Sequence, residues 1–442
     1  MSFLNYNTPI QWNRTNAFVL RFLLIYFFIQ AIPFDYKFYT DLLAISGGGQ
    51  GFYILFKIAN YNPQFFGLSG YQNWLIAAII ALIGALAADR FYRNTNPDFD
   101  KLYYWLRVIL RYRLALVAIS YGLIKLFPLQ MPYPSLGNLH TNYGDFLPWK
   151  IYFHTTGIAP PFEAFLGGVE IFAGLLLLYR KTVTFGSGVL AGYYGNVFAS
   201  NIAYSMGYEV YSLQLTIFAI VLFIYDAPRL YSLLVAQKYT VANTYHPWFD
   251  NREKWVRNVV RSLVAVFIIA LGYTTYKNYT TAPYKYPKTV GIKDSYGYYN
   301  VSVFKFNNVE IPYSTTDMNR WQNVVFEKWA TLSIKTARPI VIDEGLGDQF
   351  TDSDYERNFE SAGVGGRRYF AYEADTLSKT LKLVNKNKNH KEEIFNLNYR
   401  VVNDSTIVLT GINEKKDSVY AELNRINKKY LLFEGRRKPI KL

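Results

Sequence analysis

The sequence predicts an α-helical membrane protein of about seven transmembrane helices, containing a four-helix bundle, followed by a C-terminal mainly β extramembrane domain. Three observations predict it. The chain has 442 residues and is 51% hydrophobic, but nearly all of its long apolar runs lie in the first 275 residues. Lys and Arg gather in alternate connections between those runs, as topology signals do. Beyond the runs, short stretches rich in strand-forming residues are separated by Asn, Asp and Gly.

Residues 1–104 read as an N-terminal membrane region. Its first span, Asn16 to Phe34, lacks a small-residue cleavage site and runs into Pro33, so it reads as a retained helix. Residues 36–60 contain the Ser46-Gly47-Gly48-Gly49 run and an apolar patch through Phe52, Leu55 and Ile58. The patch is short and holds Lys57, which suits a re-entrant or interfacial segment. Gln72 to Ala88 is the second span. Residues 105–228 form the bundle, with spans at Leu106–Phe127, 161–178, Val183–Tyr204 and Val210–Tyr225. Pro128, Arg180-Lys181 and Asp226-Ala227-Pro228-Arg229 supply stop signals, and residues 128–160 read as a loop. Residues 229–276 hold a cytoplasmic connector and the seventh span, Arg257 to Tyr273.

The tail, residues 277–442, reads as antiparallel β. Tyr298–Phe306, the turn Asn307-Asn308 and Val309–Ile311 make a hairpin. Thr316 to Leu332 reads as a helix, with Trp321, Val324, Val325, Lys328 and Trp329 at helical spacing. Further strands are expected at Pro339–Ile342, Arg368–Tyr372, Leu377–Val384, Glu393–Val402, Thr406–Thr410, Val419–Ile426 and Lys429–Phe433, as a meander that is closed or packed on the helix. Such a domain docks or binds, and it shows no catalytic constellation.

The formal charge of +15 does not call for nucleic acid, because the basic residues flank apolar runs. Arg14, Arg90, Arg93, Lys101, Arg107, Arg180, Lys181, Arg229, Lys238, Arg252, Lys254, Arg257 and Arg261 fall on one side of the predicted membrane. Only Lys37, Lys57 and Lys150 fall on the other. That bias places the N-terminus in the cytoplasm and everything after Tyr276 outside. In a bacterium this means the inner membrane with a periplasmic C-terminal domain. The absence of cysteine excludes disulfides and thiol chemistry within the chain. His140, His154, His246 and His390 are scattered without metal-ligand spacing, so no metal site is expected. Asp343, Glu344, Asp348, Asp352 and Asp354 lack the spacing of a calcium loop and read as a solvated loop.

The chemistry of interest lies in the bundle. Glu163, Gly167, Glu170 and Gly174 share one face of the fourth span, and Arg107, Arg111, Ala118, Tyr121, Gly122 and Lys125 share one stripe of the third. Facing each other, these stripes form a polar seam, to which Asn196 and Gln214 add from the fifth and sixth spans. Gly188 and Gly192 allow close approach on the fifth. Antiparallel register puts Lys125 level with Glu163. It leaves Glu170 level with Ala118, about 10 Å along the axis from both Arg111 and Lys125. Glu170, Lys125, Tyr121, Arg111, Glu163, Asn196 and Gln214 either fix the helices to one another or line a pocket for a quinone or lipid headgroup.

The runs Tyr121-Gly122-Leu123-Ile124-Lys125 and Gly168-Val169-Glu170, continued through Gly174-Leu175-Leu176-Leu177-Leu178-Tyr179-Arg180, resemble the DoxX/DoxD family of four-helix membrane proteins. The resemblance covers about residues 105–228. It implies a four-helix bundle, carries Lys125 and Glu170 over as family positions, and points to membrane oxidoreductase complexes or quinone-linked chemistry. More loosely, the several spans with an outer β domain look like the HTTM group, which includes vitamin K-dependent carboxylase-like enzymes, although no matching catalytic motif is present.

The expected function is a non-catalytic subunit or anchor of a membrane-associated complex. Membrane lipids would surround its helices, and a protein partner would dock on the outer β domain. The alternatives are a quinone- or lipid-binding subunit of an oxidoreductase, with its site between the third and fourth spans, and an HTTM-like enzyme.

Overall fold

The computed structural model describes residues 12–45, 50–68, 70–92, 97–241, 245, 247–281, 287–346 and 353–434. The chain divides into two compact units: Met1–Pro128 with Pro161–Tyr279, and Leu129–Pro160 with Thr280–Leu442. The helices in chain order are α1 (Arg14–Ala31), α2 (Tyr36–Leu43), α3 (Gln50–Ala59), α4 (Tyr71–Phe91), α5 (Phe99–Leu126), α6 (Leu136–Leu139), α7 (Pro148–Gly157), α8 (Pro160–Leu178), α9 (Val183–Ala203), α10 (Glu209–Ile224), α11 (Ala227–Leu234), α12 (Asn251–Thr281) and α13 (Leu431–Glu434). All except α6, α7 and α13 belong essentially to the first unit.

Each expected span falls on a helix: α1, α4, α5, α8, α9, α10 and α12. Among the described residues, four stretches are long and apolar enough to cross a membrane. These are α1 with its continuation to Leu43, α4, α8 and α12; α10 makes a fifth if it is counted with α11, from which it bends by 61°. Length and composition alone therefore support four or five of the seven expected spans. The shortfall lies in α5, with Arg107, Arg111, Arg113 and Lys125, and in the polar α9.

Helix ends are set locally. Asp98 caps α5 by accepting from Lys101 N at 2.9 Å, and Pro128 follows its C-cap residue, Phe127. Ion pairs from Asp89 to Arg14 (3.1 Å) and Arg21 (3.0 Å) tie the end of α4 to the first half of α1. Trp12 donates to Asp100 (2.9 Å) and Lys101 pairs with Glu253 (2.7 Å), which brings the first turns of α5 and α12 to the same end of the unit. At the opposite end, the Phe127 ring lies 5.7 Å from Tyr276 and 5.6 Å from Tyr279. The apolar core joins Leu20 and Phe27 of α1 to Leu110, Leu114 and Ala118 of α5, Ala173 and Leu177 of α8, Leu190 of α9 and Phe218 of α10.

The segment around residues 36–60 folds as α2 and α3; its Ser46-Gly47-Gly48-Gly49 run lies outside the described residues. Arg113, near the midpoint of α5, donates to the carbonyls of Ile58 (3.4 Å), Ala59 and Tyr61. Asn60 Nδ2 donates to Ser120 Oγ at 2.9 Å. The end of α3, whose last carbonyls have no partners within the helix, is thus held against the middle of α5 by a cation suited to that pole.

In the second unit, the strands are β1 (Gly297–Phe306), β2 (Val309–Glu310), β3 (Asn323–Phe326), β4 (Thr331–Lys335), β5 (Arg368–Asp375), β6 (Thr380–Asn385), β7 (Ile394–Asn403), β8 (Thr406–Asn413) and β9 (Ser418–Arg425). Consecutive strands pair antiparallel and β1 also pairs with β9, so β1 and β3–β9 close an eight-stranded barrel. β2 folds back on β1 through Asn307 and Asn308, whose φ values of 50° and 64° suit a two-residue hairpin turn. Tyr299, Phe304, Phe326, Leu332, Phe370, Leu383, Leu409 and Leu423 fill the interior.

Three expectations for this unit are corrected. Thr316–Leu332 is not a helix but an irregular approach to β3, followed by the turn into β4. Val324 faces the barrel core while Val325 is buried on the outer side, and apolar residues on both faces of a strand imitate helical spacing. Pro339–Ile342 is irregular, and the carbonyls of Arg338 and Pro339 accept from Arg368. Lys429–Phe433 is not a strand, and α13 begins within it.

The reason Val325 is buried is that β3–β5 are covered outside as well as inside. The segment expected to be a loop between the third and fourth spans, residues 129–160, carries α6 and α7 and packs on this wall. Phe146 bridges Val364, Leu147 N donates to Gly363 O (2.9 Å), and Asn138 Nδ2 donates to Tyr369 OH (2.9 Å).

Candidate functional site

The seam between α5 and α8 is built on glycine. A Cβ on Gly122 would lie 2.8 Å from Gly167 O, and one on Gly167 would collide with Gly122 O, so both backbones need glycine for this approach. Gly174 packs on Ala118, 3.1 Å from its Cβ position. The expected antiparallel register thus holds to within about a turn. The pairing of charges differs. Lys125 Nζ bonds Glu170 Oε2 at 2.6 Å rather than sitting level with Glu163 as its counterpart, and Tyr194 OH donates to Glu170 Oε1 at 2.7 Å. The Lys125 side chain is 9% exposed and that of Glu170 is 0% exposed.

Side-chain lean explains the correction. Side chains on a helix tilt toward its N-terminus. On antiparallel helices Lys125 leans down toward Glu170 while Glu170 leans up toward Lys125, which closes the axial gap. Arg111 starts about as far from Glu170 along α5 but leans the other way.

The remaining expected residues divide. Tyr121 belongs to the site, with its ring center 5.3 Å from Lys125 Nζ. Glu163 is fully buried on α8. Gln214 is buried on α10, and its Oε1 has no hydrogen-bond partner among the described residues. Asn196 is exposed and accepts from Ser200 at 3.3 Å, so it lies outside the seam. Arg111 lines a separate cleft with Arg107 and Arg180. Two residues not expected there complete the site: Tyr194, bonded to the carboxylate, and Tyr193, whose ring center is 5.8 Å from Lys125 Nζ. The buried face of α9 runs through Gly186, Leu190 and Tyr194; Gly192, read as part of the packing face, has open space around it.

Chemically, the seam is a closed triad of one cation, one carboxylate and one phenol donor, each satisfied within the protein. A buried ion pair of this kind is costly to break from one side, about 3–5 kcal/mol, because the remaining charge is stranded.

The second unit holds its own buried charges on the covered wall. Glu327 accepts from Gly137 N (2.7 Å) and Leu136 N (3.1 Å), and burial pushes its carboxyl up to about 7. Gly137 is required there, since a Cβ would come within 2.8 Å of the Tyr369 ring and 2.9 Å of Ser333 Oγ. Lys150 donates to Phe359 O, and burial lowers its ammonium to about 7. Lys386 lies 3.6 Å from Glu360 and is lowered to about 8, again by burial. Burial raises the Glu360 carboxyl, but Arg357 at 2.9 Å and Lys386 outweigh it and hold the group below its usual value. Of the acidic loop, Asp343 is buried and paired with Lys388 at 2.9 Å, and Asp354 accepts from Lys288 N and Thr289 N. Asp348 and Asp352 lie outside the described residues, and no group of three or more possible metal ligands occurs among those described.

At one mouth of the barrel a cleft is lined by Phe306, Met318 and Phe395, with the buried Trp321 and Phe370 behind them and Arg338 and Glu414 among its other lining residues. Arg368 also lines it and is held by Glu393 at 3.0 and 3.1 Å.

Comparison of the chain with family models, curated proteins and solved structures finds no match.

Proposed function

We propose that this protein is a non-catalytic anchor subunit of a membrane-associated complex, whose helical unit sits in the bilayer and whose barrel unit docks a partner on the side opposite the basic loops. The observation that carries the reading is the closed bonding of Lys125, Glu170 and Tyr194, in which a fully buried carboxylate in the middle of α8 serves helix–helix attachment. Direction supports the topology. The chain leaves the helical unit after α5, before α8 and after α12, and these ends share one side: Gly122 meets Gly167, and Phe127 lies beside Tyr276. Arg14, Lys101 and Arg107 lie toward the opposite end. The barrel mouth is the docking surface of this proposal, because it combines exposed Met318 with the half-buried rings of Phe306 and Phe395.

A quinone or lipid between α5 and α8 would have to displace a 2.6 Å ion pair and separate a pair of touching glycine backbones. The DoxX-like resemblance is compatible with the anchor reading and adds no activity to it.

The test is Glu170→Gln in the full chain. An anchor loses detergent-stable protein and its co-purifying partner together. A well-folded Glu170→Gln protein that has lost only a quinone-dependent activity would replace this reading with the ligand-binding one.

A further inference from the structure

At the basic end of the helical unit, Arg107, Arg111 and Arg180 line a cleft with Tyr104, Val108, Val183 and Leu222. Arg107 and Arg111 are four residues apart on α5 and therefore share one face. Neither has a carboxylate within ion-pair distance among the described residues, and both Nε atoms are buried without a hydrogen-bond partner. The carboxylates at this end are engaged elsewhere: Asp89 by Arg14 and Arg21, Glu253 by Lys101, Asp100 by Trp12, and Asp98 by the first turn of α5. Asp226, on the neighboring segment, accepts from Thr184 Oγ1. The Arg107 guanidinium stacks at 3.1 Å from the Tyr225 ring center, which occupies its face and leaves its edge donors for another group.

From this we infer that the cleft binds the phosphate of an anionic phospholipid. The inference rests on the bilayer placement proposed above. Arg180 donates to the Tyr245 carbonyl, whereas the half-buried Arg107 and Arg111, without a carboxylate at ion-pair distance, call for an external anion, and the guanidinium fork matches phosphate oxygens. Depth favors a lipid over a free ion. Tyr104 and Trp105 pack against Phe249 at ring separations of 5.9 and 6.0 Å, and Trp12 packs against Phe99 at 5.6 Å. Those rings form an aromatic layer of the kind found at a membrane interface, and Arg107 lies just inside it along α5, at headgroup level. Val108, partly exposed beside the arginines, gives an acyl chain an apolar contact.

The experiment is native mass spectrometry of the full chain in mild detergent, titrated in separate arms with phosphatidylglycerol, phosphatidylcholine and inorganic phosphate. The wild type is expected to retain phosphatidylglycerol in preference to phosphatidylcholine. Arg107→Gln with Arg111→Gln should weaken that binding by about tenfold or more, and Arg111→Gln alone should weaken it partially if the double variant is unstable. Lys181→Gln, exposed outside the cleft lining, should leave it unchanged. Equal binding by wild type and Arg111→Gln, or no headgroup preference, overturns the site. Competition by inorganic phosphate as effective as that by the lipid reassigns it to a free ion and overturns the lipid. If the chain instead fractionates as a soluble protein without detergent, the bilayer reading fails, whatever the lipid titration shows.

Discussion

Both units bury a lysine against a glutamate, and they do so differently. In the helical unit Lys125 and Glu170 meet at 2.6 Å, with Tyr194 supplying a further donor to the carboxylate. On the barrel wall Lys386 and Glu360 are 3.6 Å apart, while Glu327 leans on two backbone N–H groups and Lys150 on a backbone carbonyl. Close opposite charge opposes burial: it holds the Glu360 carboxyl below its usual value, while at Lys386, 3.6 Å away, burial still wins and lowers the ammonium to about 8. Where the direct partners are mainly backbone groups, burial moves Glu327 and Lys150 further, to about 7.

The sharpest break in this comparison is at Glu170. Glu170→Ala should cost about 3–5 kcal/mol and lower the yield of folded protein, because Lys125 is left buried and alone. Lys125→Met combined with Glu170→Leu should recover much of that loss, as thermal unfolding in detergent would read. If the double substitution is as damaging as the single one, the charges do more than attach helices.

Next in size is Gly167→Leu. The side chain would have to push α5 away from α8, with a cost of about 1–3 kcal/mol from overpacking. Disulfide trapping between cysteines placed at positions 118 and 174 should fall in that variant; unchanged trapping would mean the helices do not need this approach.

The barrel wall predicts a pH signature. The Glu327 carboxyl is raised in the folded state, so its contribution is full below its unfolded value of 4.5 and is lost as pH rises through about 7. Lys150 and Lys386 are lowered to about 7 and 8, so their contributions are present above 10.5 and are lost as pH falls through those values. Together these groups dig a minimum in barrel stability near neutral pH. Glu327→Gln should flatten its acidic side, as tryptophan-fluorescence melts across pH 5–9 would show. A profile unchanged by the substitution would mean that Glu327 does not titrate in that range.

Smallest is Met318→Gln at the barrel mouth. The exposed side chain should leave the melting temperature within about 1 °C, since surface changes seldom exceed 0.5 kcal/mol. Partner binding, if it uses the mouth, should weaken.

The helices were legible because apolar runs and stop signals mark them: α8, α9 and α10 begin and end close to the expected bounds, while α5 ends as expected but starts at Phe99, about two turns before Leu106. Alternating stretches likewise located β1 and β5–β9. The seam was half legible. Spacing on α5 and α8 identified Glu170, Lys125 and the glycines, but treating side chains as though they stood level with their backbones paired Lys125 with Glu163. Tyr194 escaped because small-residue spacing drew attention to Gly188, Gly192 and Asn196, two residues and so about 200° around from Gly186, Leu190 and Tyr194. The covered barrel wall was not legible at all. Lys150 and Asn138 carry side chains usually found in water, and only the assembled fold supplies their partners at Phe359, Glu360 and Tyr369.

The two-piece construction of the barrel unit, Leu129–Pro160 with Thr280–Leu442, sets a timetable for biosynthesis. Synthesis at about 5–20 residues per second puts α7 on the order of ten seconds or more ahead of the strands that cover it. Throughout that interval the Lys150 ammonium lacks its partner at Phe359 and Trp149 lacks its contact with Gly363. The piece made first therefore waits for the piece made last, and during that wait the nascent chain is exposed to chaperone capture or to misassembly with a neighboring copy.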